Sequence, residues 1–540
     1  MARGRLTLRS AAAILAVGAA IGATVAASGS GAGRASAASR TPVARAAGGP
    51  TARGARLLPQ PPPAAARPNI VFVLTDDLSM DLLPYMPQVQ ALARHGMTFS
   101  NYFVSDSLCC PSRASIFTGL YPHDSGVFTN NSPDGGIGAF WAHGDEQRSF
   151  NLALQRAGYE TAMMGKYLNG YLLGPARSPV PDNYVPPGWN EWDVAGWGYP
   201  EYDYLMNVDG TVRYFGHSPR DYLTSVITRR GVRFIDRAAA SGSPFFLELA
   251  TFAPHTPYVP APRDAHLFRG LRAPRPPSFD VLPTHPPAWL SGHRPLRPSQ
   301  IARIDHVFRL RVRDVQSVDR MIATVERTLR RDGLTRDTYI VFSSDNGLHT
   351  GEYRLMPGKL TAFDTDIHVP LVVAGPGVPA GTTSGAMAEN VDLAETFAAI
   401  GGTTLSADGH SLLGLMHGAP PIGWRDAVLI EHHGPATSSL DPDAQNRESG
   451  NPTTYEAMRT AHFLYVEYLD GERELYDLRR DPYELHNIAA SASPQLLATL
   501  HAELQALEAC HGTTCWTAGH VFLTGNRVFV TRQKHHPNAS

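Results

Sequence analysis

Two stretches of the chain are apolar at consecutive positions, without the alternation of a half-exposed strand, Ile70-Val71-Phe72-Val73-Leu74 and Tyr339-Ile340-Val341-Phe342, and a third, Ser243 to Phe252, is strand-like and interrupted by Glu248 and Thr251. Successive strand side chains point to opposite faces, so an unbroken apolar run belongs to a strand covered on both faces, as in a parallel sheet between helices. The pattern predicts strands over 69–75, 243–252 and 338–344. Elsewhere the apolar period lengthens to that of a helix, with Val315, Val318, Ile322, Val325 and Leu329 on one stripe and Gly333 beyond it as a stop. Strands separated by helices predict an α/β fold with a doubly wound sheet. Towards the C-terminus, 463–468 and 474–478 flank an Asp470-Gly471 turn and predict a hairpin of a smaller sheet, and Ser493-Pro494 predicts the start of a helix.

The buried runs end in polar residues: Asp76-Asp77 after the first, Asp345-Asn346-Gly347 after the second, Ala253-Pro254-His255 after the third. Parallel strands deliver their carboxyl ends to one edge of a sheet, where open α/β folds bind ligands. Four oxygen side chains converging there suit calcium or magnesium, because three carboxylates crowded together without a cation would repel one another. Taken singly, each acidic pair is a common strand-end turn and His255 a common structural histidine. Their recurrence after buried strands is what points to a metal.

The run Cys109-Cys110-Pro111-Ser112-Arg113 adds a seat for an anion, whether a deprotonated nucleophile or a bound sulfate. Pro111 suits the first turn of a helix, which places Cys109 at a helix N-terminus, where free N–H groups and the helix dipole favour an anion. Arg113, one turn in, adds a fixed positive fork. A buried structural cysteine is the alternative for a bare Cys-x-Pro.

Composition narrows the class. With 540 residues and 43% hydrophobic content the chain can bury a large core. A net charge of −2 gives no reason to expect nucleic acid or an anionic membrane as partner. Arginine replaces lysine almost everywhere; Lys166, Lys359 and Lys534 are the exceptions, and an ammonium kept in such a background marks places where a guanidinium does not serve. Arg3, Arg5 and Arg9 precede an apolar, small-residue run over 11–27, which reads as an export signal, with an uncleaved anchor as the alternative. The Ala/Gly/Pro-rich stretch 28–66 reads as a disordered linker, 67–430 as the catalytic domain and 431–540 as a smaller subdomain. Such a protein is secreted or extracytoplasmic, where Cys510 and Cys515, five positions apart, are expected to close a disulfide loop. Zinc is the weaker reading of that pair, and Cys110 reads as a buried small hydrophobe.

These motifs together resemble the type I sulfatases of the alkaline phosphatase superfamily, and within them the N-acetylglucosamine-6-sulfatase branch. The resemblance extends over about 68–516. It rests on Cys109-Cys110-Pro111-Ser112-Arg113 with Thr118-Gly119, Gly165-Lys166-Tyr167-Leu168-Asn169, Pro187-Gly188-Trp189, Ala253-Pro254-His255, Ser344-Asp345-Asn346-Gly347, Val369-Pro370-Leu371 and Leu475-Tyr476-Asp477-Leu478. It implies an alkaline-phosphatase-like fold with a large mostly parallel sheet, helices on its faces and a smaller antiparallel C-terminal sheet. It also implies that a formylglycine-generating enzyme oxidises Cys109 to formylglycine, whose hydrate attacks sulfur. Calcium, with magnesium less favoured, would be held by Asp76, Asp77, Asp345, Asn346 and the modified Cys109. Arg113 would orient the hydrate, Lys166 and Lys359 would bind the sulfate, and His255 with Lys359 would protonate the departing oxygen. The substrate would be a sulfated sugar or aryl sulfate, 6-O-sulfated N-acetylglucosamine or a related glycan foremost.

Two positions depart from the common pattern. Many sulfatases carry histidine where this chain has Leu168, which leaves the base for sulfate elimination unassigned; His123 and Asn169 are candidates for substrate contacts or for supporting positions behind them. Asp364 and His368 stand where relatives often have glutamate and a basic residue. The aromatic segment 189–204, with Trp192, Trp197, Tyr199, Tyr202 and Tyr204, suits sugar faces and core packing equally. A broad arylsulfatase, a phosphonate or phosphodiester hydrolase using the same machinery, and a noncatalytic carbohydrate-binding relative are the alternatives. Cys109→Ser is expected to stop turnover by trapping a stable sulfate ester on an alcohol that cannot collapse to an aldehyde; sustained turnover by that variant would remove the aldehyde from the mechanism.

Overall fold

A computed structural model describes residues 67–174, 178–436, 441, 443–520 and 530–532, so the expected signal (1–27) and linker (28–66) lie outside the described residues. The main sheet is built, in chain order, from β1 (Asn69–Thr75), β2 (Met97–Phe99), β3 (Glu160–Gly165), β4 (Glu191–Ala195), β5 (Tyr204–Val208), β6 (Thr211–Phe215), β7 (Phe245–Ala250), β8 (Thr338–Ser344), β9 (Leu371–Ala374) and β10 (Thr382–Ser384). Their spatial order is β10-β2-β9-β8-β1-β7-β3-β4-β5-β6, with Val530–Arg532 added antiparallel outside β10. At the centre β8, β1, β7, β3 and β4 run parallel, while β9 and β5 turn antiparallel at the flanks. All seven residues of β1 and of β8 are buried, as the unbroken apolar runs require.

The two faces of the sheet account for the missing alternation. Ile70, Phe72 and Leu74 face a core that includes Phe150, Phe246 and Phe397 and is closed by helices α1 (Cys109–Thr118) and α4 (Asp392–Ile400). Val71 and Val73 face the opposite core, closed by α2 (Leu223–Ser241) and α3 (Pro298–Arg331). The apolar stripe on α3 begins earlier than the run from Val315 predicts, because Ile304, Phe308 and Val312 continue the same spacing. The helix stops before Gly333, whose φ of 74° takes the chain out of helical geometry.

The smaller sheet is an antiparallel meander of β11 (Ala427–His432), β12 (Tyr455–Thr460), β13 (Phe463–Tyr468) and β14 (Arg473–Asp477), and β11 spans the expected junction at residue 430. Leu429, Met458 and Tyr465 pack there against Leu500, Leu504 and Leu507 of α5 (Pro494–Glu508). Ser493 caps α5 by accepting from the Leu496 N–H at 3.2 Å, and Cys510 is disulfide-bonded to Cys515. Among the described residues no helix is long and apolar enough to cross a membrane.

The aromatic segment divides between packing and exposure. Trp192 is fully buried and Tyr204 nearly so, whereas Trp197 is 48% exposed. In the α1-side core, the Phe246 ring lies 4.8 Å from Phe150 and 5.3 Å from Phe397, centroid to centroid. Phe246→Ala is therefore expected to lower the unfolding free energy by about 3–5 kcal/mol in a denaturant titration; a loss below about 1 kcal/mol would mean that this core is not close-packed.

Candidate functional site

Neighbouring parallel strands supply the site from the same edge. β1 is followed by Asp76 and Asp77, β8 by Asp345 and Asn346, β7 by the turn to His255, and β3 by Lys166. Asp77 has a φ of 64°, a left-handed conformation costly for a residue with a side chain and common at functional turns. Gly165 has a φ of 109°, and a Cβ there would lie 1.8 Å from the Ala250 carbonyl oxygen, so the chain reaches Lys166 through a position open only to glycine.

Cys109 opens α1 and is fully buried. Its Sγ lies 3.0 Å from Asp76 Oδ1 and 2.9 Å from Lys359 Nζ. Lys166 Nζ contacts Asp76 Oδ2 at 2.7 Å, and Lys359 Nζ contacts Asp77 Oδ1 at 2.6 Å. Arg113 Nε donates to Asp345 Oδ2 at 2.8 Å and Nη1 to the Lys166 carbonyl at 3.1 Å. Asn346 Nδ2 donates to Asp77 Oδ1 at 2.7 Å. The structure thus brings together Cys109, Asp76, Asp77, Asp345, Asn346, Arg113, Lys166, His255 and Lys359.

Sequence reasoning missed Asp443. Its Oδ1 accepts from His255 Nε2 at 2.5 Å and from Lys359 Nζ at 2.8 Å, and its Oδ2 accepts from Asn130 Nδ2 at 2.7 Å. The residue comes from the loop after β11, where Asp441-Pro442-Asp443 has no periodicity to set it apart from a surface turn. A buried lysine and histidine need a counter-charge, and that need is the one sequence signal that could have led to it.

The electrostatics follow from burial. Desolvation pushes Asp76 up to about 6 even beside Lys166. Asp345 is equally buried, yet Arg113, Lys166 and Lys359 outweigh desolvation and hold it down to about 2. Burial opposes the charged form of His255, but Asp77 and Asp443 hold the imidazolium up to about 9. Burial first, then Asp345, Asp443 and Asp76, drive the Cys109 thiol well above its ordinary value. A thiol so placed is a poor nucleophile in its unmodified form.

The donor set fits a hard divalent cation. Asn346 Oδ1 is buried without a hydrogen-bond partner among the described residues, beside the carboxylates of Asp77 and Asp345. An oxygen left free there, next to crowded acids, is what a calcium or magnesium ion would take. Asp76, Asp77, Cys109 and His255 also offer ligand atoms within 4.8 Å of one another.

Other expected residues lie elsewhere. His123 bonds to Glu431 Oε1 at 2.9 Å and to the Cys510 carbonyl at 2.8 Å, tying the segment after α1 to β11 and the disulfide loop. Leu168 is buried in the apolar core. Asp364 pairs with Arg459 of β12 at 2.8 Å, and His368 stacks on Phe103. Asn169 lines a cavity beside Lys166.

A parallel sheet carries this cluster at its carboxyl edge, where open α/β folds bind ligands, and the comparisons supply the class. The sulfatase family model matches residues 68–403, and the model for the C-terminal region of N-sulphoglucosamine sulphohydrolase matches 351–510. The chain belongs to the sulfatase family and hydrolyses sulfate esters. It is 35% identical over 491 residues to N-acetylglucosamine-6-sulfatase of Homo sapiens, covering 85% of this chain and 88% of that protein. Its fold is similar to that of a protein solved with D-glucosamine-2-N,6-O-disulfate, with a TM-score of 0.69, 22% identity and coverage of 85% and 100%. The phosphonate monoester hydrolase of Agrobacterium radiobacter shares the fold at a TM-score of 0.62 and 23% identity, covering 82% and 96%.

His123 carries a pH dependence of its own. Burial disfavours its charge, but the Glu431 carboxylate, the Cys510 carbonyl and Asp124 raise it from 6.5 to about 9. A folded value above the unfolded one makes its contribution fully present below about pH 6.5 and lost as pH rises through about 9. Denaturant titrations of the wild type and His123→Gln across that window are expected to show the wild-type advantage shrinking with pH; a constant difference would mean that His123 is not held as the imidazolium.

Proposed function

We propose that the protein is an exported, calcium-dependent sulfatase whose Cys109 is converted to formylglycine, and that it acts on 6-O-sulfated N-acetylglucosamine or a related sulfated glycan. The observation that carries the reading is the seat of Cys109, between Asp76 at 3.0 Å and Lys359 at 2.9 Å at the start of a buried helix. The N-acetylglucosamine-6-sulfatase relatives support the choice of substrate, and Arg3, Arg5 and Arg9 ahead of the apolar run 11–27 support export.

When present, calcium and the aldehyde hydrate of residue 109 supply charge neutralisation at the sulfuryl oxygens and the nucleophile. Asp76, Asp77, Asp345 and the free Asn346 oxygen, with the modified residue 109, would hold the cation. Arg113, fixed through Asp345 and the Lys166 carbonyl, orients the hydrate. Lys166 and Lys359 draw the sulfuryl group into a pocket where burial strengthens each charge interaction. His255, whose imidazolium form Asp77 and Asp443 favour, donates its Nε2 proton to the leaving sugar oxygen. Asp443 keeps His255 and Lys359 charged and aligned until the ester takes their hydrogen bonds.

The mass of the peptide spanning Cys109, from protein secreted by its own host, is expected to show the aldehyde. Cys109→Ala is expected to abolish turnover of N-acetylglucosamine 6-sulfate while retaining the wild-type melting curve. Chelation is expected to remove activity and calcium to restore it better than magnesium. An unmodified thiol in active protein, or substantial turnover by the alanine variant, would overturn the reading.

A further inference from the structure

Two cavities flank the cluster. The one of about 300 Å³ is lined by Asp77, His255, Lys359 and Asp443, whose polar groups are already paired with one another. The other, of about 510 Å³, runs from buried Lys166 past Asn130 and Asn169 to Tyr199 and the half-exposed Trp197. Asn130 is engaged: its Oδ1 accepts from the Cys110 N–H at 2.9 Å, and its Nδ2 donates to Asp441 at 3.0 Å and Asp443 at 2.7 Å. Asn169 is not. It is 7% exposed, and neither Oδ1 nor Nδ2 has a partner among the described residues.

Whichever way its amide is turned, Asn169 presents a free donor and a free acceptor side by side on one planar group. Buried polar atoms are normally satisfied, so an amide left wholly unpaired in a cavity wall points to a ligand that supplies an acceptor and a donor at neighbouring positions. Adjacent hydroxyls on a sugar ring do so, since each can donate and accept. An aryl ring does not. Tyr199 and Trp197, with centroids 5.0 Å apart, add aromatic surface of the kind that packs on the C–H face of a pyranose. The Tyr199 ring lies 5.1 Å from Lys166 Nζ, which ties that surface to the reacting end of the cavity.

We propose that this cavity is the sugar subsite and that Asn169 grips two adjacent hydroxyls of the sulfated ring, so that it sets the preference for sugar sulfates over aryl sulfates. This rests on the sulfatase reading above and adds the residue that selects the substrate. The test combines Asn169→Ala with deletion of one substrate hydroxyl, using N-acetylglucosamine 6-sulfate, its 4-deoxy analogue and 4-nitrophenyl sulfate as probes. In the wild type, loss of the hydroxyl is expected to lower kcat/KM about 30-fold, the factor that leaving one buried amide group unpaired costs. In Asn169→Ala, kcat/KM for the parent sugar is expected to fall by about the same factor, and deoxygenation to cost less than about threefold more. The sugar-to-aryl ratio of kcat/KM is expected to drop at least about tenfold. Removal of an unpaired amide is expected to leave the melting temperature unchanged or raised, and Asn169→Ser serves as a second variant with the same expectation. Equal losses on deoxygenation in wild type and variant would overturn the proposal, as would a lowered melting temperature with an unchanged sugar-to-aryl ratio. Wild-type turnover of the aryl ester alone would remove the sugar subsite but leave the sulfatase reading standing, whereas turnover of none of the three probes would remove both.

Discussion

The structure depends on burying a set of charges that are tolerable only in one another's company. Asp76 faces Lys166, Asp77 and Asp443 face Lys359, Asp345 faces Arg113, and Asp443 also faces His255. These groups are almost wholly removed from water, so each would be costly without its partner. Replacing one member strands another. The cluster must therefore assemble as a unit, and the sheet edge beneath it must be rigid enough to hold the spacing.

That rigidity comes from topology. Residues far apart in the chain meet because β8, β1, β7 and β3 are neighbours in space and run parallel, each ending at the same edge. Helices bury both faces of the sheet, so the strands have little freedom to slide. α1 then presents Cys109 to that edge from above the Phe72 and Phe246 core, with its positive end towards the carboxylates. The smaller sheet closes the remaining side through Asp443, the Asp364–Arg459 pair and the His123 contacts to Glu431 and Cys510.

The buried strands were legible because β1 and β8 carry unbroken apolar runs, and β7 one broken only by Glu248, as a two-sided core demands, and their acidic or histidine ends follow within a few residues. The helical start at Cys109 was legible from Pro111, and the hairpin of β13 and β14 from its Asp470-Gly471 turn. The flanking strands β2, β9 and β10 were not, since three or four residues carry too short a pattern to separate them from loops. Asp443 escaped for a different reason. It sits in an irregular loop, and its partners are 188 residues away for His255 and in another loop for Lys359.

The sequence by itself determined the class of fold and the chemical kinds of group at the site, because strand burial, helix starts and the Cys-x-Pro-Ser-Arg run are local properties of neighbouring residues. Only the tertiary structure decided which charges pair, that His123 serves the junction with the smaller sheet, and that Asn169 is left unpaired beside Lys166. Those outcomes depend on which distant side chains arrive at the same point and how much water they displace, and neither is written in the spacing of residues along the chain.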